Sequence, residues 1–157
     1  MKLIPLTKGK YAKVDDEDYE YLNQWKWHYS TGHAYRKDSN NQTVAMHHLV
    51  LPRNRGLVVD HINGEGTDNQ KSNLRLVTNQ QNSFNSQKKP GNNKYKGVCT
   101  KAHYQNKYFA SISKNRKQYF IGYFENEHHA ALAYDLWADY FHGQYARTNF
   151  RIVRGNG

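Results

Sequence analysis

The sequence predicts a small α+β protein made of two units, and three observations lead to that prediction. Runs such as "LIPLTKGKYAKV" and "KWHYSTGHAYRKD" alternate apolar and polar side chains, which is typical of strands joined by turns. A Pro-Gly pair then interrupts a polar stretch near the middle of the chain. Beyond it, three more strand-like runs precede apolar residues at helical spacing. We expect thin cores, because 157 residues with a mean hydropathy of -1.04 leave much solvated surface.

The amino-terminal half is expected to contain strands and two helical segments. The run "DDEDYEYLNQW" predicts a short helix, since carboxylates are favoured at the positive end of a helix dipole. Further on, "GLVV" predicts a strand that ends at Asp60 and His61, whose side chains then point to opposite faces. We expect "NLRLVTNQQNSFN" to continue as a helical segment that carries Asn79, Asn82 and Asn85.

The basic, polar stretch "FNSQKKPGNNKYKG" indicates a linker and sets the expected domain boundaries. A first domain is expected at 1–88, a linker at 89–93, a second domain at 94–150 and a tail at 151–157. In the second domain "KYKGVCT", "KYFASIS" and "KQYFIGYF" predict three strands.

A helix is expected after these strands. Asn126 and Gly143 suit its amino-terminal and carboxy-terminal caps. Its apolar face includes Tyr134 and Trp137, which we expect in the core. The helix should cover one face of the sheet and leave the other exposed.

Charge points to a nucleic acid partner. Lysine and arginine number 23 against 13 aspartates and glutamates, and the formal net charge is +10. The excess is spread over both halves instead of forming one tail, as expected for a protein that meets phosphates. On charge alone, a basic but otherwise ordinary soluble protein is the alternative.

Cysteine usage and the start of the chain indicate where the protein works. The single cysteine, Cys99, excludes an internal disulfide and any zinc site built from several cysteines. The opening "MKLIPLTKGKYAK" has no signal-peptide apolar region, and no later run is long enough to span a membrane. We expect a cytoplasmic protein that is not secreted.

A carboxylate, an imidazole and a series of carboxamides lie close together in "VVDHINGEGTDNQKSNLRLVTNQQN". Asp60 and the carboxamide of Asn82 are hard oxygen donors, which suit magnesium or manganese and not zinc. His61 has the pKa of a general base near neutral pH, and Gly64 and Gly66 permit a tight loop. Metal ligands and a general base are what phosphodiester hydrolysis requires. The alternative is an ordinary turn, since Asp, Asn and Gly also dominate turns.

Residues 46–85, "MHHLV" through "VVDHINGEGTDNQKSNLRLVTNQQNSFN", resemble the HNH endonuclease motif. The resemblance is to the variant of phage and mobile-element homing enzymes in which asparagine replaces the last metal-binding histidine. It implies a ββα-metal hairpin and helix, with Asp60 and Asn82 as metal ligands and His61 activating the attacking water. It also implies that Asn73 holds the loop and the base in place.

Flanking residues extend or depart from that pattern. The family often has His-Arg where this chain has His47 and His48; His47 either lies near the scissile phosphate or is a buried structural histidine. Lys71 and Arg75 are candidate contacts to the DNA backbone, with solvated surface charges as the alternative. Residues 1–45 resemble the leader of such phage proteins, which supports the family without adding chemistry.

Residues 94–150 resemble the AP2 DNA-binding domain, through "YKGV", "YFASI", "FIGYF", "EHHAALAYDLWA" and "GQYARTNF" in that order. The resemblance implies a three-stranded antiparallel sheet that packs on one helix and enters the major groove. Cys99 and Phe120 replace an arginine and a tryptophan of the plant members, so the target sequence is not transferable. The candidate DNA-binding residues of this domain are basic or aromatic: Lys96, Lys101, Lys107, Lys114, Arg116, Lys117 and Tyr119.

Together these features predict a homing-type DNA endonuclease that depends on a divalent metal, Mg²⁺ with Mn²⁺ as the alternative. The expected partner is double-stranded DNA, with no membrane, no zinc and no small-molecule cofactor. The protein is expected to be a monomer or weak dimer in a phage-infected or bacterial cell. The alternatives are a DNA-binding regulator with an inactive nuclease site and a relatively nonspecific nuclease.

Overall fold

The computed structural model describes residues 1–88, 93–100 and 108–150. Within those ranges the protein is a mixed α+β structure with four small antiparallel sheets. The chain divides into two compact units, Met1–Asn82 and Ser83–Gly157. The linker expected at 89–93 falls largely outside the described residues, so that boundary stays a prediction. No helix in the described ranges has the length and apolar character to span a membrane.

The first unit starts with a hairpin and a short helix. Strand β1 (Lys2–Pro5) pairs with β2 (Tyr11–Val14), and helix α1 (Asp16–Leu22) follows. Alternate residues of the hairpin are buried, because successive side chains of a strand point to opposite faces. Helix α1 has three carboxylates in its first turn, which confirms the expected short acidic helix.

A three-stranded meander follows in the same unit. Strands β3 (His28–Ser30), β4 (His33–Lys37) and β5 (Thr43–Ala45) pair in sequence order, and the short helix α2 (Met46–Val50) begins directly after β5. Trp27 and Met46 pack in the same core as the first hairpin. The meander and the hairpin are thus two sheets around one core.

The last elements of this unit are a hairpin and a helix. Strand β6 (Val58–His61) pairs with β7 (Leu74–Val77), and helix α3 (Asn79–Asn85) crosses the division between the units. The expectation that "NLRLV" begins a helix is wrong, because Leu74–Val77 of this run complete the hydrogen-bonded ladder with β6.

Helix α3 begins at Asn79, directly after the capping residue Thr78. The Thr78 hydroxyl accepts from the Gln81 amide at 3.2 Å, and the Thr78 amide donates to Gln81 Oε1 at 2.8 Å. This reciprocal pair is a capping box, which satisfies amides at the start of a helix.

The second unit contains the expected three strands and one helix. Strands β8 (Val98–Thr100), β9 (Tyr108–Lys114) and β10 (Lys117–Phe124) form a sheet of order β10-β9-β8, and helix α4 (Glu127–His142) packs on it. The Asn126 side chain caps α4 by accepting from the His128 amide at 2.7 Å. Gly143 ends the helix.

Packing on α4 differs in one respect from the expectation. Tyr134 is buried in the core as predicted, but the expectation that Trp137 is a core residue is wrong, since its side chain is 37% exposed. Trp137 lies at the border of the apolar face, where its ring meets Phe141 edge-on at 5.1 Å.

Gly97, directly before β8, packs closely against Tyr134 of α4. Its φ is +75°, and a Cβ there would lie 1.9 Å from Cδ2 of Tyr134. We predict that Gly97→Ala destabilises the second unit by about 3 kcal/mol or more, from combined steric overlap and left-handed strain. Thermal unfolding followed by circular dichroism measures the loss.

Gly143→Ala is the matched control for this substitution. Gly143 also has a positive φ, +53°, but nothing lies within 4 Å of a Cβ built there. Its ψ of −130° lies outside the left-handed helical region, so we expect a cost of about 1–3 kcal/mol from backbone strain alone. Equal losses in the two variants would show that the contact with Tyr134 contributes nothing.

Candidate active site

Strand β6 delivers two adjacent polar side chains to opposite faces. Asp60 is 5% exposed and His61 is 6% exposed. Asp60 lies directly opposite Arg75 of β7, and the Nε and Nη2 atoms of Arg75 are both 2.8 Å from Asp60 Oδ2. A buried carboxylate needs such a partner, because charge-assisted hydrogen bonds offset the cost of removing it from water. Arg75, predicted as a DNA contact, is placed here beside the expected metal ligand.

The donors expected to hold a metal lie on two different elements. Asp60 ends β6, whereas Asn82 lies on α3 with its side chain exposed. In the described part of the chain, no three His, Cys, Asp or Glu side chains are arranged to hold a metal ion. One carboxylate and one carboxamide fit a hard cation such as Mg²⁺, which keeps several of its waters. A cation on Asp60 would share or replace the Arg75 pairing.

His61 has a defined hydrogen-bond partner that sequence reasoning missed. Its Nε2 lies 3.2 Å from Oδ1 of Asn69, a fully buried residue. Burial is the main cause that lowers the pKa of His61, and the Asn69 bond opposes that shift. The imidazole is therefore neutral at neutral pH.

Further histidines surround His61. The rings of His33 and His47 lie 5.4 Å and 5.1 Å from it, and 5.5 Å from each other. Burial first, and then the charge of His48, lowers the pKa of His47 to about 3. His47 is thus a neutral, buried group, and its Nδ1 has no hydrogen-bond partner among the described residues. No sequence signal placed His33 here.

The Asn73 side chain forms hydrogen bonds across the loop between β6 and β7. Its Nδ2 donates to the Asp68 carbonyl at 2.8 Å and to Asn63 Oδ1 at 3.0 Å, while its Oδ1 accepts from the Asn63 amide at 3.0 Å. Asn63 in turn donates to the Asp68 carboxylate at 2.9 Å. These bonds close the loop on itself.

The two glycines of this loop serve different purposes. Gly64 has a φ of +76°, a backbone conformation that glycine adopts without strain. Gly66 instead permits close approach, because a Cβ there would lie 2.5 Å from the Gly32 carbonyl and 2.6 Å from His33 Nε2. The loop therefore packs directly against the turn that precedes β4.

The leader contributes to the site through its backbone. The Lys13 amide donates to the Thr67 carbonyl and the Asn69 amide donates to the Lys13 carbonyl, both at 2.8 Å. Asp15 accepts from the Lys71 amide at 2.8 Å, and this bond lowers its pKa. Backbone pairing has no residue signature, so the sequence could not reveal it.

The predicted DNA-binding residues of the second unit do not share one surface. Arg116 and Lys117 are exposed at the β9–β10 turn. Tyr119 instead faces α4, where its ring meets Phe141 at 5.0 Å, and Lys114 Nζ lies 4.8 Å from the centre of the same Phe141 ring. Lys101 and Lys107 lie outside the described residues.

Lys96 is engaged within the unit. Its Nζ donates to the carbonyls of Phe84 and Ser86 at 2.7 Å and 2.8 Å. Burial, together with the charge of Arg147, lowers the pKa of Lys96 to about 8. This ammonium is bound to backbone carbonyls in the structure, so it serves packing in the unit.

An aromatic cluster that sequence reasoning missed lies on the sheet face opposite α4. Phe120 is 56% exposed and Tyr123 is 49% exposed, and their rings are 4.9 Å apart. Phe109 lies 6.4 Å from each of them. A β-bulge between Phe120 and Gly122 explains why the alternation in "YFIGYF" did not reveal the cluster.

Comparisons with known proteins agree on the first unit. Residues 44–84 match a family model described as HNH endonuclease. Over 155 residues the chain is 32% identical to an uncharacterized HNH endonuclease of Acanthamoeba polyphaga mimivirus, covering 94% of this chain and 79% of that relative. No solved structure matches the chain. HNH nucleases generally use a divalent metal ion. The chain therefore belongs to the HNH endonuclease family and is a DNA endonuclease.

Proposed function

We propose that this protein is a metal-dependent endonuclease of the homing type, which cuts double-stranded DNA at a preferred site inside the cell. The observation that carries the proposal is the Asp60–His61 pair at the end of β6, inside the matched segment 44–84. A carboxylate and a neutral imidazole on opposite faces of one strand supply a metal ligand and a proton acceptor.

Each residue of the site has a part in the proposed reaction. Asp60 and Asn82 hold the cation, Mg²⁺ or alternatively Mn²⁺, because both offer hard oxygen donors. When bound, the cation supplies charge stabilisation for the phosphate and the departing 3′ oxygen. His61 accepts the proton of the attacking water, which it can do because burial keeps it neutral. The departing 3′ oxygen takes a proton from solvent, so the products carry 5′ phosphate and 3′ hydroxyl ends.

The other polar residues orient the reactants. His47 is neutral, so it acts on a phosphate oxygen only as a hydrogen-bond donor. Asn73 keeps the β6–β7 loop closed through its bonds to Asn63 and Asp68. Rigid positioning of this kind lowers the barrier by holding water and phosphate in line.

The second unit supplies target recognition in this proposal, as an AP2-like domain. Among the described residues of this unit, α4 covers one face of the sheet, and the opposite face carries Phe120 and Tyr123. Arg116 and Lys117 lie at the adjoining turn. Cations at the edge suit phosphates, and exposed aromatic side chains suit base edges and thymine methyl groups.

We predict that His61→Ala lowers the rate of DNA cleavage about 100-fold or more while DNA binding stays unchanged, because the proton acceptor is lost. Nicking and linearisation of supercoiled plasmid in magnesium measure the rate, and a gel-shift assay measures binding. His129→Ala, an exposed histidine on α4, is the control and should cut like the wild type. Wild-type cleavage by His61→Ala would reject His61 as the base.

Asp60→Asn tests the metal site separately. We predict that this variant loses cleavage in magnesium, and that chelator abolishes cleavage by the wild type, because a carboxamide is a weaker ligand than a carboxylate. Asp38→Asn is the matched control, since Asp38 accepts backbone hydrogen bonds from Asn40 and Gln42 in an exposed turn. Tight, salt-sensitive binding without cleavage by the wild type would favour the regulator function instead.

Arg116 gives a test of the sheet as the DNA surface. It holds a φ of +63° in an exposed turn, a conformation that glycine adopts more easily. Arg116→Gly should leave stability within about 1 kcal/mol of wild type, since relief of left-handed strain offsets the added flexibility. We predict weaker DNA binding, with the slope of log affinity against log salt reduced by about one.

Lys8→Gly is the matched control for Arg116→Gly. Lys8 is also an exposed cation with a positive φ, +62°, but it lies in the first unit. The two variants remove the same charge and the same strain. If they weaken DNA binding equally, the turn of the second unit has no special part in recognition. Melting temperature and fluorescence anisotropy with a labelled duplex measure both effects.

A further inference from the structure

We propose that Asn69 is the positioning residue that fixes the tautomer and direction of the His61 imidazole, and that the leader, residues 1–45, holds Asn69 in place. The inference deepens the proposed function and rests on His61 acting as the base. It concerns side chains that neither the composition nor the family motif assigned.

The orientation of the Asn69 carboxamide follows from its partners. Its Nδ2 lies 3.3 Å from the Thr67 carbonyl, which can only accept a hydrogen bond, and 3.4 Å from Met46 Sδ, a weak acceptor. The NH₂ group therefore faces those two atoms. Oδ1 is left facing His61 Nε2, at 3.2 Å.

This orientation selects one tautomer of His61. Because Oδ1 of Asn69 can only accept, the hydrogen bond requires a proton on His61 Nε2. The neutral ring then carries its lone pair on Nδ1, the atom that must take the proton of water. With the proton on Nδ1 instead, two lone pairs would face each other at 3.2 Å inside a buried pocket.

Asn69 is itself held by backbone of the leader. Its amide donates to the Lys13 carbonyl at 2.8 Å, and the Lys13 amide donates to Thr67, whose carbonyl also binds the Asn69 side chain. Strand β2 thus fixes the main chain on which Asn69 stands and the acceptor that orients its carboxamide. These bonds make the leader a working part of the catalytic unit.

Asp15 forms a second connection between the leader and the segment that carries Asn69. Its carboxylate accepts from the Lys71 amide at 2.8 Å and from Gln70 Nε2 at 3.1 Å. Lys71 also forms ion pairs with Glu17 and Asp18 of α1. The segment 67–71 is therefore joined to the leader on both sides of Asn69.

The tautomer can be measured directly in the intact wild-type protein without metal. Two-bond ¹H–¹⁵N correlation spectra at about pH 8, where an imidazole of ordinary pKa is neutral, distinguish a protonated Nε2 from a protonated Nδ1. We expect His61 to have its proton on Nε2. A proton on Nδ1, or an even mixture of the two forms, would overturn the proposal without any variant being needed.

Two substitutions at Asn69 connect the tautomer to cleavage. Asn69→Leu keeps the size of the side chain but removes the acceptor, so we expect a mixture of tautomers and a fall in kcat of about 10-fold to 100-fold with little change in KM. Asn69→Asp retains an oxygen acceptor and should keep the Nε2 proton. An Asn69→Leu variant with the wild-type tautomer and kcat would contradict the proposal.

Asp15→Ala tests the part of the leader. We expect faster hydrogen exchange at the Asn69 and Lys71 amides, and partial loss of the single tautomer. Asp16→Ala, which removes only the exposed ion pair with the amino terminus, is the control and should change neither. If Asp15→Ala leaves both readouts unchanged, the proposed part of the Asp15 carboxylate in holding Asn69 is overturned. Absence of cleavage by the wild type would reject the proposed function, while the tautomer would still decide the role of Asn69.

Discussion

The environment of His61 depends on the requirement that a buried carboxamide must find hydrogen-bond partners at both ends. Asn69 meets this requirement with a loop carbonyl, a methionine sulfur and the His61 imidazole, which come from three different parts of the first unit. Since these partners lie on β6, on the loop that follows it and on α2, these three elements have to be in register before the carboxamide is satisfied. Placement of His61 is thereby tied to correct folding of these elements.

The sequence predicted those parts of the fold that depend on local patterns. Helix α4 has a carboxamide cap, a terminal glycine and a repeating apolar face, all of which act within a few residues. Strand β7 was mistaken for a helix because its four residues have no clear alternation of burial, and only pairing with β6 makes them a strand. The Thr78–Gln81 capping box was the local signal that could have located the helix start.

The residues of the candidate site likewise fall into those that the sequence could predict and those that it could not. Asp60 and His61 could be singled out because a carboxylate and an imidazole after an apolar run are unusual in type and position. Asn69 could not, since it is one of many asparagines in the segment and only its burial distinguishes it. Lys96 is the opposite case. Its charge suggested a contact with DNA, but its ammonium donates hydrogen bonds to two backbone carbonyls and so has a structural role. Charge is visible in a sequence, but the partner of a charge is not.

The pairing of Arg75 with Asp60 has a consequence for how the enzyme is made in the cell. Many small metal-binding domains, zinc fingers among them, fold only as the metal binds. Here the carboxylate already has a positive partner, two guanidinium nitrogens 2.8 Å away. The first unit can therefore reach its native structure before any cation arrives, and scarcity of the divalent metal that HNH nucleases generally use would leave a folded, idle nuclease instead of an unfolded chain exposed to proteolysis.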